Sequence, residues 1–263
     1  MWEAFYNNLK RQVCGPKSKK PIPRSRCIIL AAGESERFDA DYPKQHIVIK
    51  NERLIERILR QFADHDPILA THSKDIAPNY TRRVEPYLHR YTAETTLSTR
   101  SHWGDETLVL FSDVWFTDEA VETIKGCTAP VSFFTDGQDI FGFRFTAEVW
   151  KKMVKALKYV VSKAPHRKGN KGRIWQVYRY LYGFKKWPIL PTHNKEALTF
   201  IGDATQDFDT KEDLESFMNG KSKNILYKHR EGSMPNLSQT GFLATQHPPA
   251  DTQSTLKRPR MVS

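Results

Sequence analysis

Apolar positions fall into short runs separated by amphipathic stretches. Cys27-Ile28-Ile29-Leu30 is a continuous apolar run ending in the small residues Ala31-Ala32-Gly33, the pattern of a parallel strand buried on both faces. A polar loop over 34–43 follows, and from about Glu52 onward Leu54, Ile55, Ile58, Leu59 and Phe62 recur at helical spacing. Ile68-Leu69-Ala70 reads as a second strand and 78–88 as a weaker helix. Leu108-Val109-Leu110-Phe111 reads as another buried strand, ending on Ser112-Asp113. Thr117 caps an expected helix with Asp118 and Glu119 in its first turn, where carboxylates favour the helix dipole. Two strands, over 131–134 and 140–145, are expected to flank an Asp136-Gly137 turn. Beyond them lie a helix over 146–161, a Gly/Lys/Arg loop over 165–173 and a helix over 174–182. A strand over 197–201 precedes Thr210-Lys211-Glu212-Asp213, which opens a last helix like a capping box. Strands alternate with helices, which predicts one α/β domain with a mainly parallel mixed sheet flanked by helices.

Composition narrows the class. With 39% hydrophobic and 27% charged residues the chain is an ordinary globular one, and its apolar runs fall far short of the ~18 residues a bilayer span needs. Three scattered cysteines (Cys14, Cys27, Cys127) without a CxxC pair argue against a disulfide framework or a zinc site. With no apolar leader in the first twenty residues, a cytoplasmic setting is the expectation. The net charge of +11 belongs to the ends: residues 1–26 carry +6, residues 221–263 carry +5, and residues 27–220 balance. The sequence therefore divides into a basic extension (1–26), a domain (27–220) and a basic C-terminal tail (221–263) too polar to offset the entropy of ordering. Inside the domain, 149–195 carries thirteen Lys/Arg and no acid, whereas 27–148 carries −7.

The segment with chemical content is Leu30-Ala31-Ala32-Gly33-Glu34-Ser35-Glu36-Arg37-Phe38, followed by Pro43-Lys44-Gln45. Small residues after a strand let backbone amides approach a ligand closely, and ligands of open α/β sheets sit at strand carboxyl ends. Arg37 and Lys44 supply charge of the sign a triphosphate needs. It is neither a GxxxxGK[ST] loop nor a GxGxxG turn, since Gly33 is its only glycine. No Ser/His/Asp or Cys/His arrangement stands out.

LAAGxSxRF with PKQ resembles the signature LAAGxGxRxxxxxPK of the GT-A-type nucleotidyltransferase superfamily. That group includes sugar-1-phosphate nucleotidyltransferases, methylerythritol-phosphate and phosphocholine cytidylyltransferases and molybdenum-cofactor guanylyltransferases. Leu108 to Val114 resembles the family's strand ending in a metal-binding aspartate. Asp207-Phe208-Asp209-Thr210-Lys211-Glu212-Asp213-Leu214 resembles its closing D-x-D/N-T-P-E-D-L segment, with Lys211 in place of proline. The resemblance covers about residues 27–217. It implies a single Rossmann-like domain of the GT-A type and Mg²⁺-dependent transfer of a nucleotidyl group from an NTP to a small phosphorylated acceptor, a sugar phosphate being the commonest class. By the same resemblance Leu30, Ala31, Ala32, Gly33 and Glu34 cradle the nucleotide, and Ser98 stands where relatives contact base or ribose. Arg37 and Lys44 hold the phosphates, Asp113 and Asp207 hold the metal, and Asp209 falls at the helix start. PKQ, as in the methylerythritol-phosphate cytidylyltransferases, points toward CTP.

For the acceptor phosphate, Arg144, Lys171 and Arg173 are candidates by charge alone. Two alternatives stay open. A GT-A glycosyltransferase would use an NDP-sugar, but Asp113 stands alone after Ser112 where such enzymes carry a D-x-D. A nucleic-acid-binding module would use the basic stretch, where Trp175, Tyr178, Tyr180 and Tyr182 interleave with cations.

Overall fold

The computed structural model describes residues 25–33, 38, 42–164, 172–183 and 197–220. Seven strands form one mixed sheet in the order β10-β8-β9-β6-β1-β4-β5. They are β1 (Ser25–Leu30), β4 (Ile68–Ala70), β5 (Arg82–Val84), β6 (Glu106–Phe111), β8 (Val131–Thr135), β9 (Ile140–Thr146) and β10 (Leu198–Phe200). All neighbours run parallel except β9, which is antiparallel to both β6 and β8. Two short ribbons complete the strands: β2 (Val48–Ile49) with β3 (Glu52–Arg53), and β7 (Val114–Trp115) with β11 (Gln206–Asp207). The expected mixed, mainly parallel α/β sheet is thus the observed one.

Helices cover both faces. Along β1, Cys27 and Ile29 pack on one side with residues of α1 (Leu54–Gln61) and α3 (Asp118–Gly126). Ile28 and Leu30 pack on the other with α2 (Thr92–Ser98), α4 (Trp150–Lys163) and α5 (Ile174–Leu181). This double burial explains why the central strands read as unbroken apolar runs. Thr117 caps α3 by accepting from the Ala120 N–H, as its sequence position predicts. A last helix, α6 (Lys211–Met218), opens with a full capping box between Thr210 and Asp213. Among the described residues no helix is long and apolar enough to cross a membrane.

Two expectations need correction. Residues 78–88 are not helical: Arg82–Val84 form the edge strand β5, and the helix lies later, at Thr92–Ser98. Thr146 ends β9 rather than opening a helix, and α4 begins at Trp150 after a 3₁₀ turn. The ordered sheet also reaches into the basic extension. Ser25 and Arg26 pair with Glu106 and Thr107, and Arg26 is buried against Asp66 at 2.7 Å.

Gly142 marks where β9 crosses the centre of the sheet. A Cβ there would lie 2.6 Å from the Val109 carbonyl oxygen and 2.8 Å from a Leu110 methyl carbon. A backbone oxygen in a central strand has little room to move. Gly142→Ala is therefore expected to cost about 1–3 kcal/mol in urea denaturation, as overpacking does. An unchanged midpoint would show that β9 shifts freely against β6.

Candidate active site

Parallel strands β1 and β6 end side by side, their last residues Leu30 and Phe111 being register partners. Beyond β1 the chain continues as Ala31-Ala32-Gly33, with the Ala31 N–H donating to the Ala70 carbonyl of β4. Leu30 and Ala31 are buried, Ala32 is half-buried and Gly33 is exposed. A Cβ on Gly33 would meet nothing within 4 Å among the described residues. Beyond β6, the Ser112 N–H donates to the Leu30 carbonyl and fixes the position of Asp113.

The β7–β11 ribbon then brings a distant segment to the same place. Asp207 is the register partner of Val114, and the Phe208 N–H donates to the Asp113 carbonyl at 3.1 Å. Phe208 is fully buried, and in extended chain its neighbours at 207 and 209 share the opposite side. Asp209 is steadied by the cap of α6, its N–H donating to the Asp213 carboxylate. One carboxylate oxygen from each of Asp113, Asp207 and Asp209 lies within 4.8 Å of the others.

Lys44 enters from a 3₁₀ turn, Lys44–His46. Its side chain is only 5% exposed, with Nζ 3.5 Å from Asp113 Oδ2 and 3.4 Å from Asp209 Oδ1. Four residues from three distant segments of chain thus meet within one small volume, one cation among three carboxylates.

The charge balance is strained. Burial raises the Asp113 carboxyl above its ordinary range; Lys44 opposes the rise and Asp209 adds to it. Asp207 is pushed well above the usual carboxylate range, first by burial and then by the Asp113 and Asp209 charges. Its Oδ1 is buried with no hydrogen-bond partner among the described residues. An orphaned hard oxygen within a three-carboxylate set suits a small divalent cation such as Mg²⁺.

The remaining sequence candidates divide. Glu34, Arg37 and Lys171 lie outside the described residues. Ser98 has its hydroxyl occupied: it accepts from the Leu88 N–H and donates to the Glu94 carbonyl, tying the preceding chain to α2. Arg144 lies away from the cluster. Because β9 runs antiparallel, Arg144 pairs with Leu108 and reaches the Ala129 carbonyl and Glu106, toward the far end of β6 from Asp113. It is a buried strand residue whose guanidinium is engaged by these local acceptors. Arg173 is exposed at the start of α5, beside Gly172, whose carbonyl accepts from the Ala93 N–H at the start of α2. Sequence reasoning placed Asp209 only at a helix start. The alternation Asp207-Phe208-Asp209 around an apolar residue was the available sign that both acids share a face.

No family model matches the sequence, and none of the curated proteins does. Solved structures similar to it include CTP:phosphocholine cytidylyltransferase of Streptococcus pneumoniae, at 15% identity and a TM-score of 0.49 over 78% of this chain and 100% of that one. A UDP-glucose pyrophosphorylase of Acinetobacter baumanii is similar at 12% identity and a TM-score of 0.49, over 80% of this chain and 99% of its own.

Proposed function

We propose that the protein is a Mg²⁺-dependent nucleotidyltransferase that moves the NMP portion of an NTP onto a small phosphorylated acceptor and releases pyrophosphate. The observation that supports this best is Lys44 set among Asp113, Asp207 and Asp209 at the carboxyl ends of β1 and β6. The LAAGxSxRF loop and the segments that deliver these groups, PKQ, 108–114 and 207–214, agree with it. A sugar phosphate as acceptor and CTP as donor are the finer reading, carried by the sequence resemblance alone.

An acceptor phosphate oxygen attacks the α-phosphorus in line. A new P–O bond forms as the bond to the β-phosphate oxygen breaks, and pyrophosphate departs. Both reactants are anions, so the first task is to cancel charge, and positioning and electrostatics suffice without a covalent nucleophile. Asp113, Asp207 and Asp209 would hold the cation, which when bound supplies a Lewis-acidic charge against phosphate oxygens. Lys44 offers its ammonium to the departing phosphates, with Arg37 assigned the same task by its place in the motif. Gly33, with no described residue within 4 Å of where a Cβ would stand, lets the nucleotide approach the backbone of the 31–33 turn.

Thermal unfolding with ATP, CTP, GTP and UTP, each with and without Mg²⁺, tests this reading on wild type and on Asp113→Ala. A ligand at ~100 times its Kd adds about 2.7 kcal/mol, which for a domain of this size raises Tm by roughly 5–10 °C. One nucleotide is expected to stand out, with its Mg²⁺ dependence lost in the variant. Absence of any shift, or an equal shift in Asp113→Ala, would overturn the proposal. An NDP-sugar that shifted Tm where no NTP did would favour glycosyl transfer.

A further inference from the structure

We infer that Gln45 is a positioning residue, whose buried hydrogen bond to Ser112 sets the placement of the Lys44 ammonium relative to Asp113. The inference deepens the proposed nucleotidyl transfer and rests on it. Gln45 and Ser112 are 4% and 2% exposed, and Gln45 Nε2 donates to Ser112 Oγ at 3.0 Å. Each is the immediate chain neighbour of a charged site residue, Lys44 on one side and Asp113 on the other.

The strand side of this bond is rigid. The Ser112 N–H is held by the Leu30 carbonyl, and the Asp113 carbonyl accepts from the Phe208 N–H. The turn side is tied to α1 behind it, the Leu54 N–H donating to the Ile47 carbonyl. Its other backbone bonds among the described residues, from His46 N–H to the Pro43 carbonyl and from Ile47 N–H to the Lys44 carbonyl, stay within the turn, and none reaches the strand end. His46 reaches the Asp75 carbonyl only at the exposed surface. Among the described residues, Gln45 to Ser112 is therefore the fully buried side-chain bond between the turn and the strand end, beside the part-buried contact of Lys44 with Asp113. Lys44 carries its charge on a four-carbon stem with several rotatable bonds, so a fixed Cα is needed if the ammonium is to meet developing phosphate charge in place.

Gln45 is also poorly matched to a purely packing role. Its Oε1 is buried without a hydrogen-bond partner among the described residues, which costs stability that an apolar side chain of similar shape would not. A residue kept for packing alone would shed that cost. The amide is explained by what it holds in register.

The double variant Gln45→Met/Ser112→Ala removes both polar partners together and leaves no new unmet group, so its Tm is expected to stay within a few degrees of wild type. Lys44 acetylation by acetic anhydride, followed by mass spectrometry on the full chain, is expected to run about tenfold faster as the turn loosens. In turnover assays kcat is expected to fall about 30- to 100-fold, the scale of an ångström-sized misplacement, with the KM for the NTP changed less than about threefold. A purely structural pair would instead lower Tm and leave kcat of the folded protein intact. Wild-type rates of Lys44 acetylation in the folded double variant would overturn the inference. Should that variant not fold, Gln45→Leu/Ser112→Ala, which likewise leaves no new unmet polar group, gives the same comparison. If wild type transfers no nucleotide, the proposed reaction falls, while the acetylation rates still decide what Gln45 does.

Discussion

Replacing Lys44 with methionine should unbalance the site more than any other single change. The substitution keeps most of the aliphatic stem and deletes the charge, whose Nζ lies 6.0 Å from the Phe38 ring centroid. It leaves three carboxylates facing one another with no cation between them. Breaking a buried ion pair from one side costs about 3–5 kcal/mol, but Asp113 and Asp209 keep 30% and 31% of their side-chain surface in water. About 2–4 kcal/mol is therefore expected in metal-free buffer at neutral pH, or roughly 5–15 °C in Tm. Mg²⁺ alone should restore much of that loss, because a divalent ion supplies the missing charge. Acid should restore it too. Asp113 and Asp207 have raised carboxyls, so they are the first to take up protons as pH falls, and the gap between variant and wild type should close toward pH 4. Turnover should drop by at least about 10²-fold even with Mg²⁺ present, since the cation cannot also replace a phosphate-binding ammonium. A variant as stable as wild type in metal-free buffer would mean that Lys44 does not neutralise this cluster.

How far the sequence exposes the site depends on what sets each part. β1 and β6 are buried on both faces, so the apolar runs at 27–30 and 108–111 announce them, and with them the strand ends that carry Gly33 and Asp113. The Thr117 and Thr210 caps are local chemistry and are equally plain. The helix α2 is hidden for a physical reason. It is rich in threonine yet almost wholly buried, because Thr95 and Thr96 donate back to the Tyr91 and Thr92 carbonyls and Ser98 to that of Glu94. Satisfied hydroxyls leave no apolar stripe to read. The edge strand β5 is equally obscure: Arg82-Arg83-Val84 has no hydrophobic pattern and exists by pairing with β4.

Long-range register is the other part that one sequence does not display. Arg144 looks like a free cation on an apolar strand until the antiparallel pairing of β9 with β6 carries it away from Asp113. Asp209 looks like a helix-start residue until the β7–β11 ribbon draws it to Lys44 across 165 positions of chain. Gln45 has no visible partner until Ser112 arrives from 67 residues away. In each case the residue type suggests a chemistry, and the pairing of strands decides whether it is used.

Asp207→Asn should make the metal-free protein more stable while ending its use of Mg²⁺. The Asp207 carboxyl is raised by burial and by the Asp113 and Asp209 charges, and its Oδ1 has no partner among the described residues. A carboxyl raised in the folded state contributes stability at acid pH that is lost as pH climbs through its folded pKa. An unfolded aspartate ionises near pH ~3.9, so above about pH 4 wild type pays increasingly to ionise, or to keep a proton on, this group. An asparagine pays neither cost, and its amide N–H groups can donate to the neighbouring carboxylates. The variant is thus expected to gain about 0.5–2 kcal/mol near pH 8 in metal-free buffer, a rise of a few degrees in Tm that shrinks toward pH 4. With Mg²⁺ and nucleotide the order reverses: wild type gains the ligand-dependent shift and the variant does not. An Asn variant no more stable than wild type at any pH, or one that kept the Mg²⁺-dependent shift, would remove Asp207 from the cation site. The reversal is the expected mark of a site whose carboxylates are held together against their mutual repulsion because a cation is meant to relieve it.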